Sequence, residues 1–293
     1  MPLTAVMVSA AATTLLLSSK YNALHPRIFH WTTAYVYADT EAKALPNFFA
    51  SHIHQLGRQD IVWIRSGSSG GHDVKLFKRE ILDQGRLKQP VYLMTTDGDS
   101  ALPADIDVCS HAYIRGWYTQ NWDGTAGPCA RPFPIGLDMH TWHDVDAMIH
   151  AQRQSLPLHH RRKEIVWAGH PWPSRMRLLA NPSVTKLAIT SREKYWDTLG
   201  QSMYVASPPG NGMDCHRTWE ALYMGCIVLV GKNTLHALYR GLKVIEVQDW
   251  ARITPQDDWP ATPGSTGPDT LLLSRWLPEM EAFGRRQGVH VNI

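Results

Sequence analysis

The stretch MYVASPPGNGMDCHRTWEALYMGCIVLV, residues 203–230, predicts a strand, a glycine-rich turn, a helix and a second strand. Its first residues are apolar, as in a buried parallel strand, and two prolines, an asparagine and two glycines then predict a turn. Residues 215–224 lack proline and glycine and place four apolar side chains on one helical face: Cys215, Trp219, Leu222 and Tyr223. Gly225 stands where helices commonly end, and the apolar run 226–230 predicts another buried strand.

This order of elements predicts an anion site at the start of the helix, where unpaired N–H groups and the positive end of the helix dipole point at a ligand. Gly210 and Gly212 have no side chain that would hold a phosphate away from the backbone, and Asp214 is expected to cap the helix. Arg217 adds a forked cation suited to a diphosphate, and Glu220 could accept hydrogen bonds from a ribose diol. The open alternative is a surface ion pair between Arg217 and Glu220 beside an ordinary turn.

Three segments resemble those of exostosin-like glycosyltransferases, especially the short viral and microbial members. They are WYTQNWDG at 117–124, PFPIGLDMHTW at 132–142 and SPPGNGMDCHRTWEALYMG at 207–225, and their order and spacing match as well. The chain departs from the family at Val228, where a proline is expected in the strand after the helix. This departure is expected to affect strand packing more than chemistry.

The resemblance implies an α/β protein of GT-B fold, with two Rossmann-like domains, mainly parallel sheets and a crevice between them. It also implies an inverting sugar transfer from a nucleoside-diphosphate sugar, with no metal and no cofactor required. UDP donors, including UDP-xylose and UDP-glucuronic acid, predominate among the relatives, so a UDP-sugar and a glycan or glycoprotein hydroxyl are the expected substrates. The expected donor-binding residues are Ser207, Gly210, Asn211, Gly212, Asp214, Arg217, Glu220 and, from the resembling segment TSREKYW, Arg192.

An inverting transfer needs a base within hydrogen-bond reach of the acceptor hydroxyl. Asp138 and His140 lie in the resembling segment PIGLDMH, after a short run that can place them at a strand end. Together with Arg217, they are the candidate catalytic residues. Asp138 could instead be a cap, and His140 could be a structural polar residue. Gln120 and Asn121 carry no titratable proton, so they would hold sugar hydroxyls or orient their segment.

Strands and helices alternate along the chain, which predicts an α/β protein with mainly parallel sheets. Proline and a run of basic residues at 155–163 indicate a solvated linker. Residues 1–154 are therefore expected to form the acceptor-binding domain and residues 155–293 the donor-binding domain. In the second of these, Arg175 and Arg177 are either surface charges or further phosphate ligands. Among the short strands expected in the first domain is one at 106–110.

The turn Asp97-Gly98-Asp99 offers a rival mechanism, because two carboxylates after an apolar strand resemble the metal motif of GT-A glycosyltransferases. There, Mn²⁺ or Mg²⁺ would bridge the donor diphosphate through oxygen ligands. We interpret the segment instead as a polar turn or as part of the acceptor side, since Asp-Gly is a common turn dipeptide and residues 207–220 already provide a diphosphate site. A non-catalytic sugar- or nucleotide-binding protein is the other alternative.

The bulk composition restricts partners and location only loosely. A net charge of +3 fits phosphate-bearing ligands but is too small to indicate nucleic-acid binding. The four cysteines lack metal-ligand spacing and are expected to be reduced core thiols. Residues 3–17 are uncharged but short for a membrane span. A cytoplasmic protein is favoured, and the Golgi membrane or lumen is the alternative if that segment is an anchor or signal.

Overall fold

The computed structural model is an α/β protein, and it describes residues 28–31, 61–66, 70–96, 98–103, 105–125, 129–138, 145–188, 191–256 and 266–267. Within these residues the contacts divide the chain into two compact units. The first unit contains the described residues up to Ile135 together with Asn211–Asp214. The second unit contains Gly136–Gly210 and the described residues from Cys215 onward. This division differs from the predicted domain boundary at residue 155.

The first unit has a parallel sheet in which the spatial order of the strands follows the chain. The strands are β1 Ile28–Trp31, β2 Ile61–Arg65, β3 Val91–Thr96, β4 Ile114–Thr119 and β5 Ala130–Pro132. All six residues of β3 are buried, as expected for a strand covered on both faces. Helix α1, His72–Phe77, continues as a π-helical turn at Lys78–Leu82 and joins β2 to β3.

The strand predicted at 106–110 is wrong, because this segment is a series of turns. The N–H of Ile106 donates to Pro103 O at 3.0 Å, and the carboxylate of Asp107 accepts from the N–H of Ser110 at 3.1 Å. Ile106 and Val108 are nevertheless buried in the core of the first unit. The apolar residues that suggested a strand thus fill the core from a turn, where the aspartate satisfies the backbone locally.

The second unit has a parallel sheet with the strand order β10-β9-β8-β6-β7. Its strands are β6 Arg162–Trp167, β7 Val184–Lys186, β8 Ser202–Ser207, β9 Ile227–Gly231 and β10 Val244–Val247. Its α-helices are α2 Val145–Gln154, α3 Met176–Leu179, α4 Arg192–Gln201 and α5 His216–Tyr223. Short 3₁₀ helices cover Leu158–His160, Pro173–Arg175 and Thr234–Tyr239. The predicted parallel α/β architecture is therefore confirmed in both units.

The strand-turn-helix-strand unit predicted at 203–230 is present as β8, α5 and β9. Gly225 ends the helix in the left-handed conformation, with φ of 86°. Its N–H donates to Leu222 O at 3.0 Å, and the N–H of Cys226 donates to Ala221 O at 2.9 Å. This pair of bonds is a Schellman motif, which satisfies the last carbonyl groups of the helix.

The cysteine prediction is half wrong. Cys109 and Cys129 form a disulfide in the first unit, with their Cα atoms 5.6 Å apart. Cys215 and Cys226 are buried free thiols, as predicted. Spacing in the sequence could not reveal the bridge, because β4 lies between Cys109 and Cys129 in the chain and the two residues meet only on folding.

No helix in the described ranges is both long and apolar enough to cross a membrane. The segment 3–17, on which the predicted location depends, lies outside the described residues.

Candidate functional site

The sheet of the second unit has a topological switch point between β6 and β8. From β6 the chain moves to β7 on one side, then returns to β8 on the other side and continues outward to β9 and β10. In open parallel sheets, ligands bind at the carboxyl ends of the two strands that flank such a point. Here those ends are followed by the loops 168–172 and 208–210.

Arg217, in the first turn of α5, binds both of these loops. Its Nε donates to Ala168 O at 2.8 Å, and its Nη1 donates to Pro208 O at 3.0 Å. A guanidinium carries five N–H groups, so these two bonds leave three donors for a ligand. The predicted phosphate residue therefore lies at the switch point.

Arg175 is a second guanidinium at the same place, and it is only 5% exposed. Its Nη1 donates to His170 O at 2.8 Å, while Nε and Nη2 donate to Pro209 O at 3.1 and 2.8 Å. Burial, and then the charge of Arg217, lowers the pKa of Arg175. The sequence did not decide whether Arg175 is a surface charge or a phosphate ligand. Because Arg175 is buried, it is not a surface charge.

The guanidinium groups of Arg175 and Arg217 lie close together. A Cβ placed on Gly169 would come 3.0 Å from Nη2 of Arg217 and 3.5 Å from Nη1 of Arg175. Neither arginine forms an ion pair with a carboxylate of the described residues. Two neighbouring positive charges in a partly buried place attract an anion strongly, because low-dielectric walls focus their field.

Glu220 lies on the same helix, but it pairs with Arg192 and not with Arg217. The Nη2 atom of Arg192 lies 3.1 Å from Oε1 of Glu220 and 2.9 Å from Oδ2 of Asp138. Glu220 is 2% exposed, so the surface ion pair between Arg217 and Glu220 is absent. Three predicted site residues, Asp138, Arg192 and Glu220, are thus brought together in one network.

Burial dominates the electrostatics of this network. It raises the pKa of Glu220 to about 7, against the opposing effect of Arg192, and the negative charge of Asp138 raises that pKa further. The pKa of Tyr195 is raised by burial as well. Near neutral pH, Glu220 therefore exists in both protonation states and can accept or donate a hydrogen bond.

Gly212 belongs to the first unit, and its lack of a side chain serves a contact there. A Cβ on Gly212 would lie 2.5 Å from Nδ2 of Asn121. This amide donates to Gly98 O at 3.0 Å, and Gln120 donates to the same oxygen at 2.7 Å. Packing against Asn121 is thus one reason for a glycine here, and the close approach of a phosphate to Gly212 stays a prediction. Asn121 and Gln120 orient segments, which was one of their two predicted roles.

Asp214 is not the cap of α5. Its Oδ2 accepts from the N–H of Ile135 at 2.7 Å, and its own N–H donates to Asn121 Oδ1 at 2.7 Å. Cys215 occupies the N-cap position without a side-chain hydrogen bond. The helix start is consequently left without a side-chain cap, and Arg217 occupies its first turn.

The remaining predicted donor residues are distributed along the same stretch. Ser207, at the end of β8, is buried, and its Oγ lies 2.8 Å from Oγ1 of Thr218 in α5. Gly210 is half-buried, and Asn211 is exposed. Ser207 therefore connects α5 to β8. Gly210 is more accessible to a ligand than Ser207 is.

His140 and Asp97 lie outside the described residues. Asp99, the other carboxylate of the rival metal motif, is exposed. Among the described residues, no three His, Cys, Asp or Glu side chains cluster in a way that could hold a metal ion.

Sequence reasoning missed His216, which precedes Arg217 in the first turn of α5. Its Nδ1 lies 2.9 Å from Gly136 O, two residues before the candidate base Asp138. Histidine is a common general base. The position of His216 next to Arg217 in the sequence could therefore have indicated a functional residue. The contact with Gly136 appears only on folding, since 80 residues separate the two.

No protein-family model matches the chain, and comparison with curated proteins finds no match either.

Proposed function

We propose that the protein is a glycosyltransferase of GT-B type. It transfers a sugar from a nucleoside-diphosphate sugar, with a UDP-sugar such as UDP-xylose favoured, to a hydroxyl of a glycan or glycoprotein. The transfer is inverting and independent of metal ions. The resemblance of three segments to exostosin-like enzymes supports this proposal, together with the α/β architecture and its parallel sheets.

One observation carries the proposal: Arg175 and Arg217 lie at the switch point, and neither forms an ion pair with a carboxylate in the part of the chain that the structure describes. A diphosphate needs concentrated positive charge and several N–H donors, and guanidinium groups supply both in a fixed geometry. In a reaction whose leaving group is a diphosphate, the same charges stabilise the negative charge that develops in the transition state.

In this mechanism the acceptor oxygen forms a bond to the anomeric carbon while its proton passes to a base. The bond from that carbon to the diphosphate breaks, and its electron pair leaves with the diphosphate. Asp138 and His140 are the proposed bases. The guanidinium of Arg192 contacts the carboxylate of Asp138, which holds it in one orientation. The buried Glu220 is proposed to bind the ribose diol.

The first test is loss of transfer in an Arg217 variant. Arg217→Ala is expected to lower kcat about 10²–10³-fold, the usual effect of removing one donor to a developing negative charge. Arg217→Lys keeps the charge but loses the fork, so an intermediate rate is expected. Arg177→Ala is the matched control, since Arg177 is exposed and pairs with Asp249. Release of UDP from a panel of UDP-sugars measures each rate.

Three results would contradict the proposal. Near-normal turnover in Arg217→Ala, with unchanged melting temperature, would remove Arg217 from the mechanism. Loss of wild-type transfer in EDTA would favour the metal-dependent alternative with Asp97 and Asp99. Binding of nucleoside diphosphate without any turnover would instead indicate a non-catalytic binding protein.

A further inference from the structure

The loop after β6 carries an exposed tryptophan on a firmly held backbone. Trp172 is 50% exposed. The backbone N–H of Trp172 donates to His170 O at 2.9 Å, and its backbone carbonyl accepts from the backbone N–H of Arg175 at 2.8 Å. Pro171 and Pro173 flank Trp172. A proline restricts the residue before it to extended conformations, and Trp172 adopts one, with φ of −66° and ψ of 151°. The indole is therefore presented to solvent with little backbone freedom.

The same short loop is bound by both arginines of the switch point. Arg217 donates to Ala168 O at 2.8 Å, and Arg175 donates to His170 O at 2.8 Å. The Cα atoms of His170 and Trp172 can be at most about 7 Å apart, because a residue spans no more than about 3.5 Å. The Cα atom of Trp172 thus lies within the length of a small ligand of the two guanidinium groups.

The segment around Trp172 contains a second exposed apolar side chain and an aromatic contact. Met176, four residues on, is 54% exposed, and the ring of His170 meets the indole edge-on at 6.5 Å between centroids. By contrast, Trp117, Trp167 and Trp219 are fully buried. A flat aromatic face beside a cation pair is complementary to a ligand that joins a planar ring to a phosphate group.

We propose that Trp172 is the stacking platform for the base of the nucleoside diphosphate whose phosphates bind Arg175 and Arg217. This inference rests on the proposed function, because it places the donor at that pair. Stacking of a base on an aromatic side chain is tolerant of base identity, since every base has a π face. Trp172 therefore contributes affinity for nucleoside diphosphates in general, and other contacts select among them.

The test compares nucleoside diphosphates with inorganic pyrophosphate, which has the phosphates but no ring. Calorimetric titration of the full chain with UDP, GDP, CDP, UDP-sugars and pyrophosphate measures each Kd. Trp172→Ala is expected to weaken the preferred nucleoside diphosphate about tenfold, or about 1.4 kcal/mol, and to leave pyrophosphate unchanged. Trp172→Phe should retain most of the affinity. Tyr113→Ala, at a 42% exposed aromatic residue of the first unit, is the matched control.

The outcomes separate this inference from the proposed function. Wild-type binding of a nucleoside diphosphate that Trp172→Ala leaves intact would overturn the platform alone. Equal loss of pyrophosphate binding in Trp172→Ala would also overturn it, since Trp172 would then act by holding the arginines. Weaker binding of UDP-sugars but not of UDP would assign the indole to the sugar ring instead of the base. A wild-type protein that binds neither UDP, GDP, CDP nor pyrophosphate would overturn both proposals.

Discussion

Glu220 shows how one buried residue makes the stability of the fold depend on pH. Its carboxyl group lies in the second unit beside Arg192, and burial outweighs this guanidinium, so the pKa is raised from 4.5 to about 7. The folded state then binds more protons than the unfolded state between these two values. The free energy of unfolding consequently falls as the pH rises from about 4.5 to about 7.

Replacement of Glu220 by glutamine should remove this dependence. The shift corresponds to about 3 kcal/mol between the two limits, at 1.36 kcal/mol per pKa unit. Urea unfolding of wild type and Glu220→Gln, at pH values from about 5 to about 8, gives the free energy of unfolding of each protein as a function of pH. The difference between the two slopes measures the contribution of Glu220. Glu246→Gln, at an exposed residue, should keep the wild-type slope. Equal slopes in all three proteins would show that Glu220 titrates normally.

At the scale of elements, one arginine joins the carboxyl ends of two helices. Arg161 is buried, and its Nη2 donates to Met224 O at 2.8 Å, beyond the end of α5. Its Nη1 lies 3.4 Å from Leu199 O in the last turn of α4, and its Nε donates to Leu156 O at 2.7 Å. Cations stabilise helix carboxyl ends, where unpaired carbonyl groups gather. The basic run at 159–163, predicted to be a solvated linker, therefore contains a structural residue.

Arg161→Ala should destabilise the second unit by about 3 kcal/mol, because several buried carbonyl groups lose a charged donor. Arg162→Ala is the adjacent control. Arg162 is exposed and pairs with Glu164, so a loss below about 1 kcal/mol is expected. Chemical denaturation of each variant, followed by circular dichroism, gives the two values. Equal losses for the two arginines would show that the buried bonds contribute nothing beyond a surface pair.

At the scale of the whole molecule, the disulfide Cys109–Cys129 indicates the redox state of the compartment in which the protein folds. Structural disulfides persist in oxidising compartments and are rare in the cytosol. The bridge closes a loop over a sequence separation of 20 residues. The bridge therefore favours folding in an oxidising compartment over folding in the cytosol.

Thiol counting tests this bridge directly. Of the four cysteines, two should react after denaturation without reductant, and all four should react after reduction. Cys109→Ser with Cys129→Ser should lower the free energy of unfolding by roughly 3 kcal/mol, mainly because the unfolded chain regains freedom. Four reactive thiols in the unreduced protein would contradict the disulfide.

Predictions from the sequence succeeded where the signal was local. The strand-helix-strand unit around α5 could be predicted because apolar spacing differs between a strand and a helix. Gly225 was identified as the helix end for an equally local reason, since glycine adopts the left-handed conformation readily. The strand at 106–110 failed because burial of Ile106 and Val108 does not require a ladder of backbone hydrogen bonds.

The sequence by itself determined the α/β class, the parallel sheets and the position of Arg217 in the first turn of a helix, since these follow from periodicity and local turn chemistry. Only the tertiary structure decided that Arg175 joins Arg217, that Glu220 pairs with Arg192, and that Gly212 makes room for Asn121. Each of these contacts joins residues distant along the chain. Their partners are selected by strand order and burial, which no short window of sequence contains.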